Sequence, residues 1–562
     1  MLGSPRGAPR RSRRWGSALD RSEPRHFASA GRSETCRVLG IIALCLVLFF
    51  SHIAFRPLWN QDEGKHAATS KHMVLSGDWI TPTLNGEPFF DKPAFHNWLV
   101  ALAFLGFGFT EFAARLPNAT LGLGCVLLTY LAGRRLYGPG AAFLGAAVLA
   151  STAEFFLVSG TVVHDMSLAF FVTLGLALWL AGYSSGARER RWFLLSYAAF
   201  GGAMLAKGPI GVLLPGAVVF LFLASRRELR FLGRMSLGSG LLIGLAVAAP
   251  WYLAIALRNP DYARYFLVEL HLGSFLSEEV NHPEPLHYYL PVLLMGFLPW
   301  SVFLPAALVR AWQRRNEDAD RATWFLLLWA GLYLVFFSAA ESKLPTYILP
   351  IFPPLALLVG RLWHELAAAP APALRKAVLW SFAPFLLLPV AALLWVRTPP
   401  LLLTELAGQH GLALAEAASP LIALIVGLAA AFILVLARRT RAGFAGVTLS
   451  FAAFAALTLV VIVPVMNVHQ SSREMALELD ELLPDAEPMA NYSSMRGSTL
   501  FYTDRLVRVI DSRRQLTDFL SSESPVYCVI SAHRYREMGL QAPIVYAIGD
   551  DLLIANRRAV GQ

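Results

Sequence analysis

Apolar stretches of about twenty residues recur along most of this chain, and that length of helix spans the ~30 Å hydrocarbon core of a bilayer. Inside a bilayer every backbone N–H and C=O must be satisfied within the segment, so helices are the form expected of such stretches. Of 562 residues, 56% are hydrophobic and 15% charged, and the mean hydropathy is +0.52. A soluble fold could not hide so much apolar surface, and a polytopic α-helical membrane protein is expected. The net charge of +10 sits largely in arginine runs between apolar segments. Runs of that kind report membrane orientation, so no nucleic-acid partner is inferred. Cys36, Cys45, Cys125 and Cys528 are scattered without CxxC spacing, which argues against a disulfide framework or a thiolate zinc site.

Residues 1–37 are rich in Arg, Ser and Pro and read as a disordered basic tail on the cytoplasmic side, with a charge pattern that also fits an organellar transit peptide. Nine arginines precede the first span, 38–55, which places the amino terminus in the cytoplasm. Further basic clusters stand at Arg134–Arg135, Arg188–Arg191, Arg226–Arg234, Arg310–Arg315, Arg361–Lys376 and Arg438–Arg441. All of them fall on the cytoplasmic side only if 93–110, apolar as it is, does not cross. The crossings are then 38–55, 116–135, 140–159, 165–184, 192–206, 208–225, 236–257, 287–309, 322–340, 345–363, 376–396, 418–437 and 443–466, thirteen in all. This makes 38–466 a transmembrane domain with two large outer loops, 56–115 and 258–286. Residues 93–110 become an interfacial or re-entrant element of the first loop.

The outer loops carry isolated polar groups: Asp62, Glu63, Asp91, Lys92, His164, Asp165, Lys207, Glu341 and Lys343. Asn60 with Glu63 reads as a capping box that opens a helix over 61–76, with Gly77 as its stop. After it come turn formers interleaved with Trp79, Phe89 and Phe90, a pattern suited to the headgroup zone. The second loop holds Glu269, His271, Glu278, Glu279, His282 and Glu284. Ionisable groups at membrane depth are costly and mark functional sites, although lysines at span ends can also snorkel to water. Their accumulation on one face reads as a site. Residues 467–562 form a small extracytoplasmic α/β domain, with a helix at 472–483, strands near 488–493, 505–511, 526–532, 543–548 and 551–556, and helices near 513–521 and 533–539. No GxGxxG or phosphate loop occurs, so no nucleotide is expected. The lack of an internal repeat weighs against inverted-repeat transporters.

The segments QDEGKHAATSKHMVLSGDWITPTLNGEPFFDKPAFHNW, EFAARLPNATLGL, VVHDMSLAFF, AKGPIGVLLPG, HPEPLHYYLPVLLMGFLPW and ESKLPTYILPIFPPLALL, in that order, resemble the GT-C class of lipid-linked-sugar glycosyltransferases. The particular likeness is to the bacterial aminoarabinose (lipid A) transferase and protein mannosyltransferase family, close over residues 38 to about 365 and architectural beyond. It implies an enzyme that moves a sugar, with inversion, from a polyprenyl phosphate to lipid A, another envelope glycan or a protein. The reaction would take place on the outer face of the bacterial inner membrane. A transporter or lipid-carrier flippase is the alternative, and would want charged groups near the middle of spans.

The resemblance also implies roles. Asp62 matches the first-loop acid, as general base or acceptor-orienting group, with Glu63 and Asp165 as further catalytic acids. Lys92 matches the lysine that holds the leaving phosphate; Lys65, Lys207, Lys343 and Tyr347 join it along the phosphate or acceptor channel. Asp91 stands where relatives have a metal-associated glutamate, and His271 is its matching partner for a divalent metal, zinc or magnesium. Read as residues alone, Asp165 is also a plain N-cap and the lysines are also snorkelling cations. Lys65 stands where relatives have arginine, and DKPAFH departs from the commoner EKPP, so sugar and acceptor are left open.

Overall fold

The apolar stretches have become helices, as backbone satisfaction in lipid requires. The computed structural model describes residues 27–60, 62–185, 189–265, 284–315, 317, 321–369, 371–385, 414–482, 488–493, 495–503, 505–556 and 558–559. His271, most of the second outer loop and the latter part of the expected 376–396 crossing lie outside the described residues. The first half of the chain supplies α1 (Phe27–Cys45), α2 (Asp62–Ser76), α3 (Phe95–Phe107), α4 (Glu111–Tyr137) and α5 (Pro139–Ala150). It continues with α6 (Ala153–Ser159), α7 (Asp165–Ser184), α8 (Glu189–Lys207), α9 (Ile210–Ser225) and α10 (Leu237–Arg258). Among the described residues eight helices are long and apolar enough to cross a membrane, or up to ten if each of two bent pairs counts as one span.

Local chemistry sets the helix ends. Thr110 caps α4 by accepting from the Ala113 N–H at 3.2 Å. At its far end Gly138, at φ +83°, turns the chain out while Arg134 and Arg135 sit in the last turn, where the helix dipole favours cations. α3 has 13 residues, about 20 Å of helix at 1.5 Å per residue and short of a full crossing.

One expected crossing takes a different form. Residues 287–309 are not one straight helix: Tyr289–Gly296 and Trp300–Arg314 meet at 111°. Gly296 weakens the helix there, and Pro299 can neither donate its backbone N–H nor let its predecessor stay helical. α5 and α6 also bend, by 62°.

Beyond the bundle lies a five-stranded mixed sheet in the order β4-β3-β5-β7-β6. Its strands are β3 (Met489–Tyr492), β4 (Val507–Ile510), β5 (Tyr527–Ser531), β6 (Ile544–Ile548) and β7 (Asp551–Ala555). β3 is parallel to β4 and β5, while β7 is antiparallel to β5 and β6. A short hairpin in the first loop provides β1 (Thr83–Leu84) and β2 (Glu87–Pro88). Each C-terminal strand falls inside a stretch whose alternation marks it; the helix Gly497–Thr503 has no such signal in the sequence. One apolar core joins this unit to the first loop, with Leu58, Ala67, Val100 and Phe104 packed with Met489, Leu500, Phe501 and Leu553. The C-terminal sheet is therefore built onto α2 and α3.

Candidate functional site

α2 starts at Asp62, whose side chain is exposed, whereas Glu63 beside it is buried. Arg56 Nη1 reaches Glu63 Oε2 at 3.0 Å and Arg115 Nε reaches Oε1 at 2.7 Å. Arg115, fully buried on α4, also donates to the carbonyls of Ile53, Arg56 and Pro57. Burial alone would raise the Glu63 carboxyl, but Arg115 and Arg56 hold it below the usual carboxylate range. Both oxygens of this expected catalytic acid are thus occupied in tying the first loop to α4.

The capping box also differs from expectation. Glu63 accepts the Trp59 N–H at 3.0 Å, which leaves Asn60 for other partners. Asn60 donates its N–H to Gln470 O at 2.6 Å and accepts from Gly497 N at 3.1 Å. Its side-chain oxygen accepts from the hydroxyls of Ser472 and Ser498. Two residues after Asp62, Gly64 lies so close to Gly497 that a Cβ there would meet its carbonyl carbon at 2.6 Å. Lys71 donates to Phe501 O at 2.8 Å, and Tyr502 donates to Glu111 while accepting the Leu58 N–H. The C-terminal unit therefore fixes the helix that presents Asp62.

The remaining charges come from distant parts of the chain. Lys92 Nζ pairs with Asp91 Oδ1 at 2.7 Å. Asp91 is half-buried; burial pushes its carboxyl up, and Lys92, His66 and Lys207 together bring it below its ordinary value. Asp165, in the first turn of α7, is ion-paired with Lys207, the last residue of α8. The Lys207 ammonium lies 3.8 Å from the centre of the Tyr347 ring, a cation–π contact. Lys207 lies within charge–charge range of Lys92 and Asp91, and Tyr347 within range of Asp165, Asp91 and Asp62. Asp62, Asp91, Lys92, Asp165, Lys207 and Tyr347 are thus brought to one place.

Other expected site residues stand apart. Lys343 is buried and caps the Glu284 carbonyl at 2.5 Å. Lys65 is half-buried, and a Cβ on Gly497 would lie 2.8 Å from its Cγ, which sets it under the C-terminal unit. Asp91 has its cation in Lys92, and among the described residues no three His, Cys, Asp or Glu side chains are arranged to hold a metal ion. The described donors do not by themselves make a metal site.

Two histidines escaped the sequence reading. His66 lies 4.4 Å and His96 4.8 Å, ring centre to ring centre, from His164. Each stands near a site charge in sequence: His66 one helical turn after Asp62 on α2, His96 four residues after Lys92 in the first turn of α3, and His164 next to Asp165. Burial holds His66 and His164 below the usual imidazole range. For His66 the i,i+4 spacing from Asp62 on one helix was the available signal.

Residues 91–253 match the family described as dolichyl-phosphate-mannose-protein mannosyltransferase. Over 351 residues the chain is 38% identical to an undecaprenyl phosphate-alpha-4-amino-4-deoxy-L-arabinose arabinosyl transferase of Pseudomonas paraeruginosa. The match covers 60% of this chain and 62% of that protein, so it spans about three fifths of the relative's length. The same-named enzyme of Pseudomonas aeruginosa is also 38% identical, over 58% of this chain and 59% of its own. The fold is shared along nearly the whole length with the crystal structure of ArnT from Cupriavidus metallidurans bound to undecaprenyl phosphate. That likeness has a TM-score of 0.79 and 25% identity, and covers 93% of this chain and 98% of the other. The chain thus has the GT-C fold. The archaeal oligosaccharyltransferase AglB from Archaeoglobus fulgidus shares the fold more distantly, with a TM-score of 0.54 and 13% identity over 91% of this chain and 71% of its own. Within this fold the gathered charges stand where a helical bundle meets a C-terminal sheet unit.

Proposed function

We propose that this chain is an inverting glycosyltransferase that moves a sugar from a polyprenyl phosphate to lipid A, another envelope glycan or a protein. The observation that carries the reading is the convergence of Asp62, the Asp91–Lys92 pair and the Asp165–Lys207 pair from three separate segments. It is supported by likeness to a protein whose crystal structure holds undecaprenyl phosphate. The acceptor oxygen attacks the anomeric carbon as the bond from that carbon to the phosphate oxygen breaks. The acceptor's proton passes to the Asp62 carboxylate, which is exposed and placed by the helix it heads. Where the acceptor is itself a phosphate, Asp62 orients it instead.

Lys92 neutralises the leaving polyprenyl phosphate, with Lys207 and Tyr347 beside it. Asp165 holds Lys207 in place, and Lys65 and Lys343 line the approaches. We assign Glu63 a positioning part, because both its oxygens are held by arginines. A divalent metal on Asp91 would need His271 as a second ligand, and no step is routed through it.

The thirteen crossings, the cytoplasmic amino terminus and the outer position of the sheet unit belong to the same reading. So does the location, the bacterial inner membrane. Asp165 and Lys207 lie at helix ends, which favours a reaction at a surface over a transport path through the middle of the bundle.

The test is transfer of radiolabelled sugar from a panel of polyprenyl phosphates in reconstituted vesicles. Wild type is expected to label at least one envelope acceptor, and Asp62→Ala and Lys92→Ala to lose the transfer. Full activity in either variant, or no transfer from any polyprenyl phosphate, would overturn the reading.

A further inference from the structure

Arginines at the end of the bundle away from the site are largely met by acids. Arg310, Arg314 and Arg361 share Glu365, Arg321 pairs with Glu228, Arg234 with Glu189 and Arg134 with Glu34. One group is not. Arg375, Arg438, Arg439 and Arg441 line a single cavity of about 780 Å³, together with Leu366, Ala367, Pro372, Thr440 and Ala442. No acid lines it. None of the four has an ion-pair partner among the described residues; Arg375 donates to the Leu436 carbonyl, and its Nε is buried without a hydrogen-bond partner.

The backbone builds this arrangement. The link between the helices Leu414–Leu436 and Thr440–Leu457 is three residues long, with Arg438 in the left-handed region at φ +61°. The Arg438 and Arg439 N–H groups close the turn onto Val435 and Leu434. This turn brings Arg438, Arg439 and Arg441 against the start of the helix Pro372–Ser381, which carries Arg375. Four like charges around one cavity repel, and an anion seated among them removes that cost. Guanidinium forks match phosphate oxygens bidentately, the volume is that of a small-ligand site, and basic pockets between transmembrane helices suit lipid head groups.

We infer that this cavity is a phosphate-binding site at the basic end of the bundle, taking the phosphate of an anionic lipid head group or a free phosphate. It lies at the opposite end of the bundle from the sugar-transfer site and does not rest on that function. Thermal unfolding of the full chain in detergent tests it, with phosphatidylglycerol, phosphatidylcholine or inorganic phosphate added in separate arms. Phosphatidylglycerol is expected to raise the wild-type midpoint by several degrees and phosphatidylcholine to leave it unchanged. A rise with inorganic phosphate alone would assign the site to the free ion, and a larger rise with phosphatidylglycerol to the head group.

Arg438→Gln/Arg441→Gln is expected to bind the active anion at least tenfold more weakly. Arg227→Gln/Arg230→Gln, which removes the same charge away from the cavity, is expected to behave as wild type. Native mass spectrometry of purified wild type, which needs no variant to fold, should show retained anionic lipid if the head group is the ligand. No response of wild type to either anion, or equal losses in both double variants, would overturn the inference.

Discussion

The two ends of the bundle use charge in opposite ways. At the site end the charges are few, drawn from distant segments and largely enclosed: Asp165 and Lys343 are buried, and Lys207 closes on Asp165 and Tyr347. At the other end arginines are numerous and more exposed, and acids such as Glu365 serve three of them at once. Exposed ion pairs contribute little, whereas charges withdrawn from water are costly unless paired and persist where something depends on them. Charge number thus marks one end of the bundle, and charge burial the other.

The sharpest way to break this contrast is activity. Asp165→Asn, which loosens Lys207, is expected to lower polyprenyl-phosphate-dependent transfer by roughly 10²-fold, while Glu365→Gln, at the other end, leaves the rate within about twofold. Comparable losses in both, measured as initial rates in vesicles, would erase the distinction. Next comes stability. Glu63→Gln leaves Arg56 and Arg115 buried without their counter-charge and is expected to cost about 3–5 kcal/mol, read as the shift in thermal or denaturant unfolding.

A smaller effect sharpens the role of the C-terminal unit. Ser498→Ala removes a donor to Asn60 and an acceptor for the Ser472 N–H. It is expected to lower kcat about tenfold, short of the ~100-fold that a full ångström of misplacement costs. KM should be unchanged and Ser498→Thr should restore the rate. An equal change in kcat and KM would point to substrate contact instead.

Smaller again is the acid dependence of Asp91. Its carboxyl is held low in the folded chain, so the stability it contributes is present above the ordinary carboxylate pKa and is lost as pH falls through the lower folded value. The stability gap between wild type and Asp91→Asn should therefore be constant near neutral pH and narrow only below about pH 4. At the bottom of the scale, Arg310→Ala should move stability by less than about 1 kcal/mol, because its pair with Glu365 is partly exposed.

How much was legible follows from the range of each signal. The helix beginning at Asp62 and the strand positions of the C-terminal sheet are written in local alternation and capping. Asp165, Lys92 and Lys207 stood out as isolated charges between apolar runs. Glu63 looked like the equal of Asp62, since adjacent residues share every local feature. Arg115, fifty-two positions on, joins Arg56 in distinguishing them. The helix Gly497–Thr503 was missed because GSTLFYT has neither a clear apolar stripe nor strong helix formers, and its place is fixed by close contact with Gly64.

The sequence by itself determined that this chain crosses membranes repeatedly, where its arginines gather, and which segments carry single acids and lysines. Hydropathy and charge act over one helix length, and the bilayer reads them directly. Only the tertiary structure decided which of those charges meet. It buried Glu63 under two arginines, seated Asp165 on Lys207, hung the helix of Asp62 on Asn60 and Ser498, and gathered four arginines around one cavity. Such pairings depend on which helix faces come together, and that is set by packing among residues hundreds of positions apart.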